Sequence, residues 1–132
     1  MIRIPLMFAS AALLVASPAL AASHATDRGE AKLAKILENR VAGKPVSCLY
    51  LRNVRSSQIM DGTAIVYESG GTLYVNRPDG AASLDDDDIL MTRTSTSQLC
   101  RLDSVNLFSR AGRYERGFVT LGNFVPYTKA PK

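Results

Sequence analysis

The chain has 132 residues, with 16 Lys and Arg against 12 Asp and Glu, a net charge of +4, two cysteines and one histidine. That length suffices for one small core, and the charge is too weak for a nucleic-acid binder, which carries a dense basic face. His24 alone offers neither a Ser-His-Asp or Cys-His arrangement nor a zinc ligand set, and no phosphate-loop, dinucleotide or Gly-x-Ser-x-Gly motif occurs.

Residues 1–21 have the pattern of an export signal. Arg3 gives a positive start, residues 4–16 are mostly apolar, Ser17-Pro18 breaks a helix, and Ala19-Leu20-Ala21 supplies small residues around a cleavage site. The apolar stretch falls short of the ~20 residues of a spanning helix. The expectation is a periplasmic or secreted protein with no stable membrane anchor. Thiols oxidise there, so Cys48 and Cys100 are expected to form a disulfide. In the chain-entropy model, closing a loop of about 50 residues stabilises a domain by roughly 4 kcal/mol.

Residues 22–26 read as a flexible leader, and 27–132 as a single globular domain. Asp27 with Glu30 three positions on reads as a capping box. Ala31, Leu33, Ala34, Ile36, Leu37 and Val41 then recur at helical spacing, until Gly43 and Pro45 stop the pattern. This predicts one amphipathic helix over about 27–42. From Val46 onward the pattern changes to short β-rich runs, at 46–51, 63–68, 72–77, 89–94, 104–108, 118–121 and 124–127. Asp61-Gly62, Ser69-Gly70-Gly71, Pro78-Asp79-Gly80 and Ala111-Gly112 separate them, and the Gly70-Gly71 link marks a hairpin. The predicted fold is mainly β, a small antiparallel barrel or sandwich with one N-terminal amphipathic helix.

Three groups of side chains are candidates for function. Strand alternation places Tyr74 and Asn76 on one face and Val75 and Arg77 on the other, at the end of the predicted hairpin. Arg110, Arg113 and Arg116 form a late basic segment beside glycines, and arginines give forked hydrogen bonds to carboxylate or phosphate. Asp85-Asp86-Asp87-Asp88 is a run of like charges that favours an exposed turn, and its spacing does not match a calcium loop, so no metal or cofactor is expected.

Cys48, Asp61, Thr63 with Ile65, Tyr74 with Asn76, Leu84, Leu99-Cys100 with Asp103, and Leu121-Gly122-Asn123-Phe124 together resemble an uncharacterised family of small exported bacterial proteins, a domain of unknown function. Members with a second disulfide carry cysteines near the positions of Ala81 and Val119, so this chain resembles a version without it. The resemblance implies fold and location and leaves activity open. Gly70-Gly71-Thr72-Leu73-Tyr74 is similar, more weakly, to the inhibitory loop of periplasmic lysozyme inhibitors, with Gly70 where those have serine. The leading expectation is a non-enzymatic periplasmic binding or accessory protein. It would recognise an envelope component or partner protein through Tyr74, Asn76, Arg77, Arg110, Arg113 and Arg116. Lysozyme inhibition is the alternative, and a carboxylate-based hydrolase of envelope glycans the third reading.

Overall fold

The computed structural model describes residues 19–132, so the part of the export pattern in residues 1–18 lies outside the described residues. The helix α1 (Ala19–Ile36) precedes ten strands: β1 (Arg40–Ala42), β2 (Cys48–Tyr50), β3 (Val54–Met60), β4 (Ala64–Ser69), β5 (Thr72–Asn76), β6 (Asp88–Thr92), β7 (Gln98–Cys100), β8 (Ser104–Ser109), β9 (Glu115–Thr120) and β10 (Phe124–Lys129). They form a five-stranded sheet in the order β1-β10-β5-β4-β3, a three-stranded sheet β6-β8-β9, and a ribbon of β2 and β7. All strand pairs are antiparallel. The mainly β class therefore holds, as an open sandwich rather than a closed barrel. Among the described residues, no helix is long and apolar enough to cross a membrane.

The helix differs from its prediction at both ends. It starts at Ala19, so residues 22–26 are helical instead of a leader, and Asp27 lies inside the helix instead of capping it. Glu30 is turned to a tertiary partner, Arg77, and takes no part in a capping box. At the other end α1 stops at Ile36, and Asn39 adopts a left-handed φ of 60°, which asparagine tolerates better than most residues. The chain then pairs as β1 with the edge of β10, and Arg40 donates to the carbonyls of Gly71 and Tyr127 at 3.1 Å each. Sheet pairing thus replaces the expected last helical turn.

Helix and sheet meet closely at one glycine. A side-chain carbon on Gly29 would lie 2.0 Å from the Asp61 carbonyl oxygen and 2.3 Å from the Thr63 hydroxyl, so only hydrogen fits there. Leu33 is buried beyond it, with Ile36 and Leu37 packed alongside, against Met60, Ala64, Val66 and Val75. The opposite face of the same sheet sends Ile59, Ile65, Tyr67 and Phe124 into the larger core, where they meet Leu49, Leu99, Val105, Leu107, Val119 and Leu121. Alternation along β4 explains this division, since Ala64 and Val66 face the helix while Ile65 and Tyr67 face the second layer.

Local chemistry sets the joints. Gly70 and Gly71 have φ of 58° and 79°, the left-handed pair that a two-residue hairpin turn requires, so the predicted β4–β5 hairpin forms with Ser69 opposite Thr72. Cys48 and Cys100 lie opposite each other in the ribbon and form the expected disulfide, with Cα atoms 4.0 Å apart. The Asp103 carboxylate accepts the Cys100 amide at 2.7 Å and holds the turn that follows β7.

Candidate functional site

The predicted residues separate into structural ties and exposed groups. Asn76 is fully buried and acts as a clip: its amide nitrogen donates to the Gly122 carbonyl at 2.8 Å, and its oxygen accepts the Gly122 N–H at 2.9 Å. Arg77 forms a forked pair with Glu30 at 2.5 and 3.2 Å, fixing α1 to the end of β5. That hydrogen bond, opposed in part by desolvation, holds the Glu30 carboxyl below its usual range. Tyr74 lies within β5 and packs against the larger core, not on the hairpin loop. This end of the hairpin is therefore a framework, since its polar groups are engaged by the protein itself.

Arg116 is fixed in a different way. Leu107 pairs with Gly117 and Phe108 with Glu115, so Arg116 is the extra residue of a β-bulge. A bulge re-aims a side chain, and this one directs the guanidinium to the buried carboxylate of Asp88. Its Nε lies 3.0 and 3.1 Å from the two carboxylate oxygens, its Nη2 lies 2.6 Å from one of them, and the same nitrogen donates to the Ser83 carbonyl at 2.8 Å. A buried carboxylate without that partner would be costly, so Arg116 completes the layer beneath it.

The rest of the acidic run folds back on the β3–β4 turn. Asp61 accepts the Asp86 N–H at 2.7 Å, Asp85 accepts the Asp87 N–H at 2.9 Å, and Lys32 lies 3.6 Å from the Asp86 carboxylate. Carboxylate oxygens of Asp61, Asp85 and Asp86 come within 4.8 Å of one another, the spacing a cation would need. Each carboxylate of that group already has a protein partner, which accounts for the cluster as a knot between the two layers.

Arg110 and Arg113 remain exposed on the β8–β9 hairpin. The Ser109 N–H donates to the Tyr114 carbonyl and the Arg113 N–H to the Ser109 carbonyl, both at 2.9 Å, so the loop is closed by its own backbone. Arg110, Tyr114 and Arg116 line a cavity of about 480 Å³ with Asp85 and Asp87. Lys129 and Lys132, also basic and late in the chain, line a separate cavity with Arg40 beyond the end of α1. No family model, curated protein or solved structure matches this chain.

The feature that residue-by-residue reading missed lies on the outer face of the three-stranded sheet. Ile89 pairs with Phe108, Met91 with Asn106, and Asn106 with Phe118, so all five side chains share one face. The other face of the same strands carries Leu90, Val105, Leu107 and Val119 into the core, so the first face turns outward. Ile89 is 45%, Met91 37% and Phe118 62% exposed. Asn106 at the centre donates to the Glu115 carboxylate. The signal was present in the sequence as apolar residues at successive positions, Ile89-Leu90-Met91 and Phe118-Val119, where a strand with one wet face alternates.

Proposed function

We propose that this protein is an exported, non-catalytic binding protein that docks a partner protein of the cell envelope on the outer face of β6, β8 and β9. The observation that carries this reading is the exposed apolar cluster of Ile89, Met91 and Phe118 around Asn106, with half-buried Phe108 beside Ile89 on the same face. A contiguous apolar patch left in water marks an interaction surface, and Met, aromatic residues and Arg are the types enriched at such surfaces. Arg110 and Arg113 at the adjoining hairpin supply a polar rim. The disulfide is compatible with an oxidising compartment, and the export pattern of residues 1–21 agrees with it.

The test is capture from a native envelope extract, with the protein compared with its Ile89→Ser/Phe118→Ser variant. A partner enriched by the first and lost by the second, at equal thermal stability, supports the reading. Equal recovery by both proteins moves the function away from this face. A concentration-dependent dimer that the variant cannot form would replace the heterologous partner with a second copy of this chain.

A further inference from the structure

The two layers do not join along one line. β3 is the edge of the five-stranded sheet and β6 the edge of the three-stranded sheet. Among the described residues, the hydrogen bonds that tie these edges together lie beyond their ends. At one end the Gly62 N–H donates to the Leu84 carbonyl and the Asp86 N–H to Asp61; at the other the Leu51 N–H donates to the Ser97 carbonyl at 3.0 Å. The end of β3 thus meets the start of β6, and the start of β3 meets the segment after β6, so the strands run antiparallel side by side. Between them lies a cavity of about 430 Å³, walled by residues 57–59 of β3 and 88–90 of β6.

Both walls present backbone to this gap. The Asp88 N–H donates to the Asp85 carbonyl and so points away from β8, and alternation then turns the backbone of Leu90 and Thr92 to the same open side. The Met60 carbonyl accepts the Thr63 N–H and points toward β4, so the backbone of Ser57 and Ile59 faces the gap. Edge strands in soluble proteins are commonly guarded by lysine, proline or a bulge. β3 has a bulge between Val54 and Ser56, whereas β6 carries a guarding charge only at its first residue, the buried Asp88, and its pairing with β8 is regular through Ile-Leu-Met-Thr.

We infer that this seam is a binding site for an extended peptide segment of a partner protein, which inserts as an added strand between β3 and β6. Main-chain hydrogen bonds to both edges supply affinity, and Ile59 and Leu90, set among mostly polar and charged side chains, offer contacts to alternate apolar side chains. Charge sets the direction. Asp86 and Asp87, with Lys32 and Arg110 near them, mark the tied end of the cavity; exposed Arg55 and Arg93 stand beyond the other end, where the Glu68 carboxylate is engaged by the Ser56 hydroxyl at 3.1 Å and Arg93 reaches the Met91 sulfur at 3.9 Å. The segment therefore carries an acidic residue, or its own terminal carboxylate, at the end that meets Arg55 and Arg93. This site adjoins the outer face at Ile89, but its main-chain contacts do not depend on that face being used.

Two measurements test it. Amide hydrogen exchange on the free protein should show Ser57, Ile59, Leu90 and Thr92 exchanging fast while Ile89 and Met91 are protected; protection of all six would mean that the seam is closed and would end the proposal. The second is an NMR titration with the heptapeptide Thr-Val-Thr-Val-Thr-Val-Glu. It should shift the amides of residues 57–59 and 90–92, and the same peptide with proline at both internal threonines should not. Arg55→Glu/Arg93→Glu should weaken binding roughly tenfold. The double variant should also prefer the peptide ending in lysine. Shifts confined to the outer face, or none at millimolar peptide, would overturn the assignment while leaving the outer-face reading intact.

Discussion

The five-stranded and three-stranded sheets are built from similar strands but covered differently. The first has α1 on one face and the larger core on the other, and its polar groups at Asn76 and Arg77 are engaged within the protein. The second has one covered face and leaves Ile89, Met91 and Phe118 in water. The helix makes the difference, because it covers the sheet that lies next to it in sequence and, among the described residues, no element does so for β6, β8 and β9. One sheet is thus covered on both faces, while the other leaves an apolar face exposed, the surface proposed above for docking.

The sharpest way to break this comparison is a pair of phenylalanines. Phe124 is fully buried beside Tyr67, with ring centroids 5.7 Å apart, and Phe118 is exposed. Phe124→Ala should cost ~3–5 kcal/mol in chemical denaturation, the range of buried Phe deletions. Phe118→Ala should stay within about 0.5 kcal/mol of the parent, as surface changes do. Similar losses from both would mean that the outer face is part of the stabilising core.

The clip is next in size. Asn76→Ala leaves the Gly122 N–H and carbonyl without their partner in a buried setting, a loss of roughly 2 kcal/mol. A change below about 0.5 kcal/mol would show that water replaces the side chain there.

Tyr67 predicts a gain. Its hydroxyl is buried without a hydrogen-bond partner among the described residues, and burial raises its pKa well above the usual tyrosine value. Tyr67→Phe should therefore raise stability by ~1 kcal/mol, because it removes a desolvated group that the fold does not satisfy. A loss of similar size would mean that the hydroxyl does have a partner in solution.

The smallest expected effect concerns Glu30. Its carboxyl is held below the ordinary 4.5 chiefly by the hydrogen bond to Arg77, so the charged form favours the folded state. That contribution is present above the unfolded pKa and is lost as pH falls through the lowered folded value. Both side chains are about half exposed, so solvent screening limits it to ~0.2–1 kcal/mol. Glu30→Gln should remove this part of the acid limb of the stability profile and leave the neutral region slightly lowered. An unchanged acid limb would show that the pair does not persist in solution.

How far the sequence was readable depends on whether a signal is local. The hairpin of β4 and β5 was readable because Gly70-Gly71 fixes both the turn and the register. Strand β3 was not, since Arg55-Ser56-Ser57-Gln58 are four exposed polar residues, the pattern of an edge strand that nothing covers. The helix shifted because a capping box predicts a start only where the preceding residues do not continue the helix, and the residues before Asp27 do. Of the candidate site residues, Arg110 and Arg113 proved exposed, whereas Arg116 is held by Asp88, a partner 28 positions away that a bulge brings into reach. Asn76 ends β5 and Arg77 lies just beyond it, and their partners, Gly122 and Glu30, are long-range.

The most direct measurement is photo-crosslinking in intact cells, with a crosslinking amino acid placed in turn at Phe118 on the outer face and at exposed Thr128 on β10. A surface that docks a partner gives a discrete crosslinked species from position 118 and none from position 128. The same species from both positions, or none from 118, would contradict the division of the molecule into a framework half and a binding half.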